Sequence, residues 1–370
     1  MDIKNEAVEV CRLFNIEGKP VGFKVFTEGH INTTYFLEFK KDDKTFKYLV
    51  QGINTHVFKN PHNLMENIVN VTEFLRNKII ENGGDSERET LRFLKCKEDK
   101  YYLYFNEKCW RVYNYIDNAY TLSKIENLDV FESAGISFGL FQKNLDEYPM
   151  DSLHETIKDF HNTPRRVATL EASVKADCKN RASQVEKDIA FALDRKQEAE
   201  KLIKLHNEGR IPLRVTHNDT KINNILFDSE SDEAICVIDL DTIMPGFSLY
   251  DFGDAIRFGA NTTREDDDNL DNVKFSVDHF KAFAKGFLSA CAKELTVDEV
   301  DNLAFASKLM TYECGVRFLT DYLDGDVYFK TAYQGHNLVR ARNQFKLVYE
   351  MEQNMDKMNE IIKELYAQYT

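Results

Sequence analysis

The 370-residue chain is 43% hydrophobic, 30% charged and 12% aromatic, a mixture that buries a sizeable core and excludes wholesale disorder. Forty-eight basic against 62 acidic residues leave a net charge of −14, which excludes a broad electrostatic grip on nucleic acid or anionic lipid; an anionic ligand must be held locally. No apolar run approaches the ~18 residues of a membrane span, and Met1-Asp2-Ile3-Lys4 opens no signal-like segment, so the expected setting is cytoplasmic, without membrane or nucleic-acid partners.

Three β-rich segments are expected at 23–27, 33–39 and 46–51, separated by polar turns, and they read as an antiparallel meander. From 61 to 82, Leu64, Ile68, Val71, Phe74, Leu75 and Ile79 recur at helical steps behind a proline, and Gly83-Gly84 ends the helix. Strand-like runs at 101–105 and 109–115 follow, and Asp117-Asn118 breaks the pattern. The expected boundary is there: a β-rich domain over 1–117 and a mainly helical one over 118–370.

Helical periodicity marks 131–145, 185–206, 275–292, 297–323 and 338–369. Two β-branched stretches interrupt the helices, at 213–216 and 234–238, each ending in carboxylates and amides. The acidic run 265–268 reads as a solvated loop. Seven cysteines without a CxxC pair read as core thiols, not as a disulfide frame or a zinc site.

The string HNDTKINN at 217–224 puts an imidazole, a carboxylate, an ammonium and amides beside a core strand. Phosphoryl transfer to an alcohol needs a carboxylate to receive or orient the hydroxyl proton, a cation to offset phosphate charge and oxygen ligands for magnesium. Asp219, Lys221 and Asn224 supply these types at offsets of two and five residues, the spacing of a kinase catalytic loop. Twenty residues past Asp219, VIDLD delivers Asp239 and Asp241, which alternation along an extended segment puts on one side. Asp239 is the expected metal ligand. Asp241 is a second ligand, a hydrogen-bond partner of the loop or a solvated residue. Asp251 either caps the next helix or braces the loop, and His217 fixes the loop by hydrogen bonding.

HNDTKINN, VIDLD and YDFGD in this order resemble the aminoglycoside phosphotransferase and choline kinase superfamily, the small-molecule branch of protein-kinase-like folds. More narrowly, VTHNDTKINNILFD, the early FTEGHINTTYFL and YLVQGINTHVFKNPHNLMENI are similar to the N-acetylhexosamine 1-kinases. The resemblance implies an α+β bilobal fold, with a small antiparallel-sheet lobe bearing one helix and a larger helical lobe. It implies ATP and magnesium (Mg2+) as cofactors and phosphorylation of the anomeric hydroxyl of N-acetylglucosamine or N-acetylgalactosamine. Asp219 would be the base with Lys221 beside it, and Asn224 and Asp239 the metal ligands. His30, Arg317 and Tyr328 would meet the sugar. Gly29 and Asn32 in the phosphate-covering turn, Gln51, and the hinge residues Asn114, Tyr115 and Ile116 would meet the nucleotide.

One departure stands out: the third strand ends in Gln51 where kinases of this fold place a lysine, leaving Glu66 without its expected partner. Either another cation substitutes or the metal neutralises more of the phosphate charge. Two other readings fit the same residues: a kinase of another small alcohol or amine (choline, a fructosamine, homoserine, an aminoglycoside), and a nucleotide- or sugar-binding regulator without catalysis.

Overall fold

The computed structural model describes residues 2–26 and 32–370. Helix α1 (Ile3–Leu13) opens the chain, N-capped by the Asp2 carboxylate on the Asn5 N–H at 2.8 Å. Strands β1 (Lys19–Phe26), β2 (Thr33–Lys41) and β3 (Lys44–Ile53) form the expected meander. Helix α2 (Pro61–Glu81) follows, with Asn60 as its cap and proline in the first turn. Strands β4 (Leu103–Phe105) and β5 (Lys108–Asn114) complete a five-stranded antiparallel sheet in the order β1-β2-β3-β5-β4.

Alternation along these strands sorts the sheet's two faces. Tyr35, Leu37, Phe39, Val50, Trp110 and Val112 pack with Ala7, Val8, Val10 and Cys11 of α1. Cys109 and Tyr113, at the alternate positions of β5, join the core with Leu64, Met65 and Ile68 of α2. The sheet is therefore covered on both sides, by α1 as well as the single helix anticipated. Helix α1 was not expected from the sequence.

The chain leaves the sheet after Asn114, and β6 (Ala119–Tyr120) already pairs in the helical part, with β8 (Ile225–Asp228) and then β9 (Ala234–Val237). Between them lie α3 (Leu128–Asn144), α4 (Thr163–Ala176), α5 (Glu186–Leu193), α6 (Lys201–Asn207) and β7 (Arg214–Thr216), which pairs with β10 (Met244–Gly246). Helices α7 (Ser248–Gly259), α8 (Val277–Cys291), α9 (Val297–Val300), α10 (Leu303–Asp324), α11 (His336–Gln353) and α12 (Met355–Tyr369) complete the fold. It is a protein-kinase-like bilobal architecture. Among the described residues, no helix is long and apolar enough to cross a membrane.

The acidic run is not simply solvated: Glu265 accepts from the buried Arg257 at 2.6 Å. Helices α3 and α8 approach closely because both present glycine at the contact. A Cβ on Gly286 would lie 2.0 Å from the Glu132 carbonyl oxygen, and one on Gly135 2.3 Å from that of Phe283. Gly286→Ala should therefore cost about 1–3 kcal/mol by forcing the helices apart, read as a lower urea midpoint without a changed slope.

Candidate active site

The pairing of β7 with β10 brings the 217–224 loop against the 239–243 segment. Thr216 Oγ1 donates to the Met244 carbonyl (2.9 Å), Asn218 Nδ2 to that of Thr242 (2.9 Å) and Thr242 Oγ1 to that of His217 (2.6 Å). His217 spans the two segments, its Nε2 against the Ile238 carbonyl at 2.8 Å and its Nδ1 accepting from the Asp219 N–H at 3.2 Å. It thus fixes the loop by hydrogen bonding. Asp251 braces the same loop: its carboxylate accepts from the backbone N–H groups of His217 (2.9 Å) and Asn218 (2.7 Å) and from Gln142 Nε2 (2.8 Å). It makes no capping bond to α7.

On this frame Asp219 meets both expected loop partners. Lys221 Nζ lies 3.1 Å from Asp219 Oδ1, and Asn224 Nδ2 donates to the Asp219 carbonyl at 2.7 Å and to Oδ2 at 3.1 Å. Burial is the largest single influence and works to raise the Asp219 carboxyl, but Lys221, His217 and Arg257 together outweigh it and hold the group below its ordinary value. The same pairing raises Lys221 against its own burial, so both groups stay charged. Because Asn224 turns its nitrogen to Asp219, Oδ1 is left as its oxygen donor.

Asp239 takes a left-handed conformation (φ 58°) before a short turn over Leu240–Thr242. The segment is therefore not extended there, and the expectation that Asp239 and Asp241 face one side gives way. Asp239 is exposed, whereas Asp241 is buried. Asp241 Oδ1 sits 2.5 Å from Arg111 Nη1, and Oδ2 accepts from Asn32 Nδ2 at 2.5 Å. With both oxygens committed, Asp241 is a hydrogen-bond and ion-pair partner. Although Asp239 reaches solvent, the protein packed around its carboxyl, then the like charges of Asp241 and Asp219, push it up to about 6. A divalent cation would relieve that repulsion. Among the described residues no group of three His, Cys, Asp or Glu side chains is set to hold a metal. An amide oxygen and one carboxylate suit magnesium, which keeps waters and takes its other ligands from nucleotide phosphates.

The remaining candidates divide. Gln51 lies across the register from Arg111 and accepts from it. Asn32 links Asp241 to the Asn54 N–H, which donates to its Oδ1 at 2.9 Å. Gly29 and His30 lie outside the described residues. At the hinge the Asn114 side chain is spent holding the preceding segment, accepting from the Arg92 N–H at 2.7 Å, and the Tyr115 N–H donates to the Lys47 carbonyl at 3.2 Å. Ile116 is buried. Glu66 has a partner after all, His154 Nε2 at 2.8 Å, not a strand cation.

Arg317 and Tyr328 come together on the helical side. The Arg317 guanidinium lies 5.6, 6.0 and 5.4 Å from the ring centres of Phe160, Tyr328 and Phe329. The loop bearing Tyr328 is held by Asp321, whose carboxylate accepts from the N–H groups of Val327, Tyr328 and Phe329 at 2.8 to 2.9 Å. Phe160 precedes His161, which contacts the Asn218 carbonyl at 2.9 Å and the buried Glu313 at 2.8 Å, joining this cluster to the loop of Asp219. Sequence reasoning missed Arg111, Asp321 and the His161–Glu313 pair. Arg111 alone left a signal, a charge between the apolar pairs Cys109-Trp110 and Val112-Tyr113 of β5.

Residues 104–283, which hold both polar clusters, match the family described as APH: Phosphotransferase enzyme family. The fold of the whole chain is shared by solved small-molecule kinases. A microcompartment-associated aminopropanol kinase is 14% identical with a TM-score of 0.62, over 97% of this chain and 99% of that one. Choline kinase from Cryptosporidium parvum is 14% identical with a TM-score of 0.56, over 98% and 99%. A spectinomycin phosphotransferase solved with ADP and spectinomycin is 12% identical with a TM-score of 0.53, over 96% and 99%.

Proposed function

We propose that the chain is an ATP- and magnesium-dependent kinase that phosphorylates the anomeric C1 hydroxyl of N-acetylhexosamines. Residues 1–117 would take the nucleotide, and 118–370 would carry the catalytic loop and the sugar site. The observation that carries the sugar reading is Arg317: partly buried, ringed by Phe160, Tyr328 and Phe329, and without a carboxylate within 4 Å among the described residues. Its charge also depresses that of Arg166, below burial as a cause, so two guanidinium groups share this corner. Glu313 offsets part of this positive charge, and sugar hydroxyl and acetamide oxygens accept from guanidinium and phenol donors.

In the mechanism, Asp219 accepts a hydrogen bond from the C1 hydroxyl and aims its oxygen at the terminal phosphorus of ATP. The new oxygen–phosphorus bond forms as the bond to the departing ADP oxygen breaks, and the hydroxyl proton passes to Asp219. Asn224 and Asp239 would hold magnesium, which would supply neutralisation of the phosphate charge. Because Lys221 keeps Asp219 ionised, proton transfer comes late, which suits a loose transition state in which positioning and electrostatics supply most of the acceleration. Incubation with magnesium-ATP and an acceptor panel, followed by phosphorus NMR, should show an ester at C1 of N-acetylglucosamine or N-acetylgalactosamine. Transfer only to choline, ethanolamine or an aminoglycoside would defeat the sugar reading, and an ester at C6 the anomeric one.

A further inference from the structure

The third strand's missing lysine has a counterpart one strand away. Arg111 on β5 is directly across the register from Gln51 on β3. Alternation turns both away from the α1 face, where their neighbours Val50, Trp110 and Val112 pack, and toward the cleft side. Gln51 Oε1 accepts from Arg111 Nε at 2.9 Å and from Nη2 at 2.6 Å. The amide is itself oriented, its Nε2 donating to Thr34 Oγ1 on β2 at 2.9 Å. Glutamine at 51 is therefore suited to its neighbour: an amide oxygen receives a guanidinium, whereas a lysine there would face Arg111 with like charge.

The other end of the guanidinium leaves the sheet. Nη1 reaches Asp241 and lies 3.8 Å from Met65 Sδ on α2. Asp241 ties in turn to Asn32, just before β2, and follows Asp239 by two residues. Three pieces of the proposed nucleotide site thus converge on Arg111: the end of β3, Asn32 just before β2 and the segment carrying Asp239.

We propose that Arg111 is the positioning cation of the nucleotide site: it replaces the lysine that β3 lacks and, through Asp241, sets the turn that aims Asp239 at magnesium and the phosphates. It also supplies a fixed positive charge beside the phosphate path, in a buried setting where screening is weak. The inference rests on the nucleotide-binding reading. A structural ion pair that merely joins sheet to helices is the competing account, and loss of stability on deleting Arg111 fits both. Moving the charge separates them.

Calorimetric titration of the full-length chain with magnesium-ADP, paired with steady-state kinetics, should show Arg111→Gln raising the ADP dissociation constant and the KM for ATP about tenfold or more, the scale of a lost charged hydrogen bond. The KM for the acceptor should stay within about twofold, because the acceptor side does not touch Arg111. In the double variant Gln51→Lys/Arg111→Gln, the ammonium returns to β3 and faces Asp241 from the register neighbour, and nucleotide affinity should recover to within about threefold of wild type. Wild-type ADP affinity in Arg111→Gln, or a double variant no better than the single, would leave Arg111 a structural ion pair. If Arg111→Gln does not fold, the double variant decides alone: folded and binding ADP supports the proposal, and any other result overturns it. An unaltered chain that binds no ADP sinks the nucleotide reading and this inference with it, whereas normal binding in Arg111→Gln sinks only the inference.

Discussion

Asp219→Asn should lower turnover at least ~100-fold while leaving the fold in place, the lower range for lost acid–base assistance. Asparagine preserves the size of the side chain and an oxygen for one of its two contacts. The loop does not depend on the carboxylate charge, since Asn224 also bonds the Asp219 carbonyl at 2.7 Å, and His217 and Asp251 hold the neighbouring backbone. What disappears is the proton acceptor and the partner of Lys221. The freed ammonium remains beside the phosphate path, so the KM for ATP should change little and the loss should fall on kcat. Steady-state rates with magnesium-ATP and N-acetylglucosamine, with circular dichroism as the fold control, decide the matter; near-wild-type kcat would remove Asp219 from the chemistry.

Where local signals and tertiary contacts agree, the fold was readable in advance. The meander announces itself through turn residues between β-branched runs, and α2 through its apolar spacing and Pro61. Helix α1 escaped because it buries a compact patch, Ala7, Val8, Val10 and Cys11, and carries Glu6, which is masked only by Asn106 and Lys108 a hundred residues away. Helix α4 buries only Thr163, Val167, Leu170 and Ser173, too weak a stripe to stand out. The expected helices 185–206, 297–323 and 338–369 are each broken. Asp194-Arg195, Asp301-Asn302 and Asn354 interrupt them with side chains that compete for backbone groups, while the apolar period carries on past the break.

The site divides along the same line. Asp219, Lys221 and Asn224 are close in sequence and meet through local geometry, so their spacing carried the information. Asp239 and Asp241 show where a period-two argument fails: one left-handed residue turns neighbours-but-one to different surroundings. The Arg111 contacts could not be read at all from spacing, since they join positions 60 and 130 residues apart and exist only once β3 and β5 are in register.

That division sharpens the second large effect, on magnesium. Asp239→Asn should raise the magnesium concentration for half-maximal activity about 100-fold or more, beyond the 10–100-fold typical of losing only an outer-shell partner. Asp241→Asn should act less on magnesium and more on stability, because its two oxygens serve Arg111 and Asn32. The pH profile adds a second readout. With its carboxyl standing at about 6, Asp239 binds a proton in competition with magnesium below that pH and none above it. Half-saturating magnesium should therefore be nearly constant above pH 7 and worsen by about tenfold per unit as pH falls below 6, a dependence that Asp239→Asn abolishes. A variant that keeps both the wild-type magnesium requirement and its acid limb would show that the metal is held elsewhere, and Asp239 would revert to a residue that shapes the turn after β9.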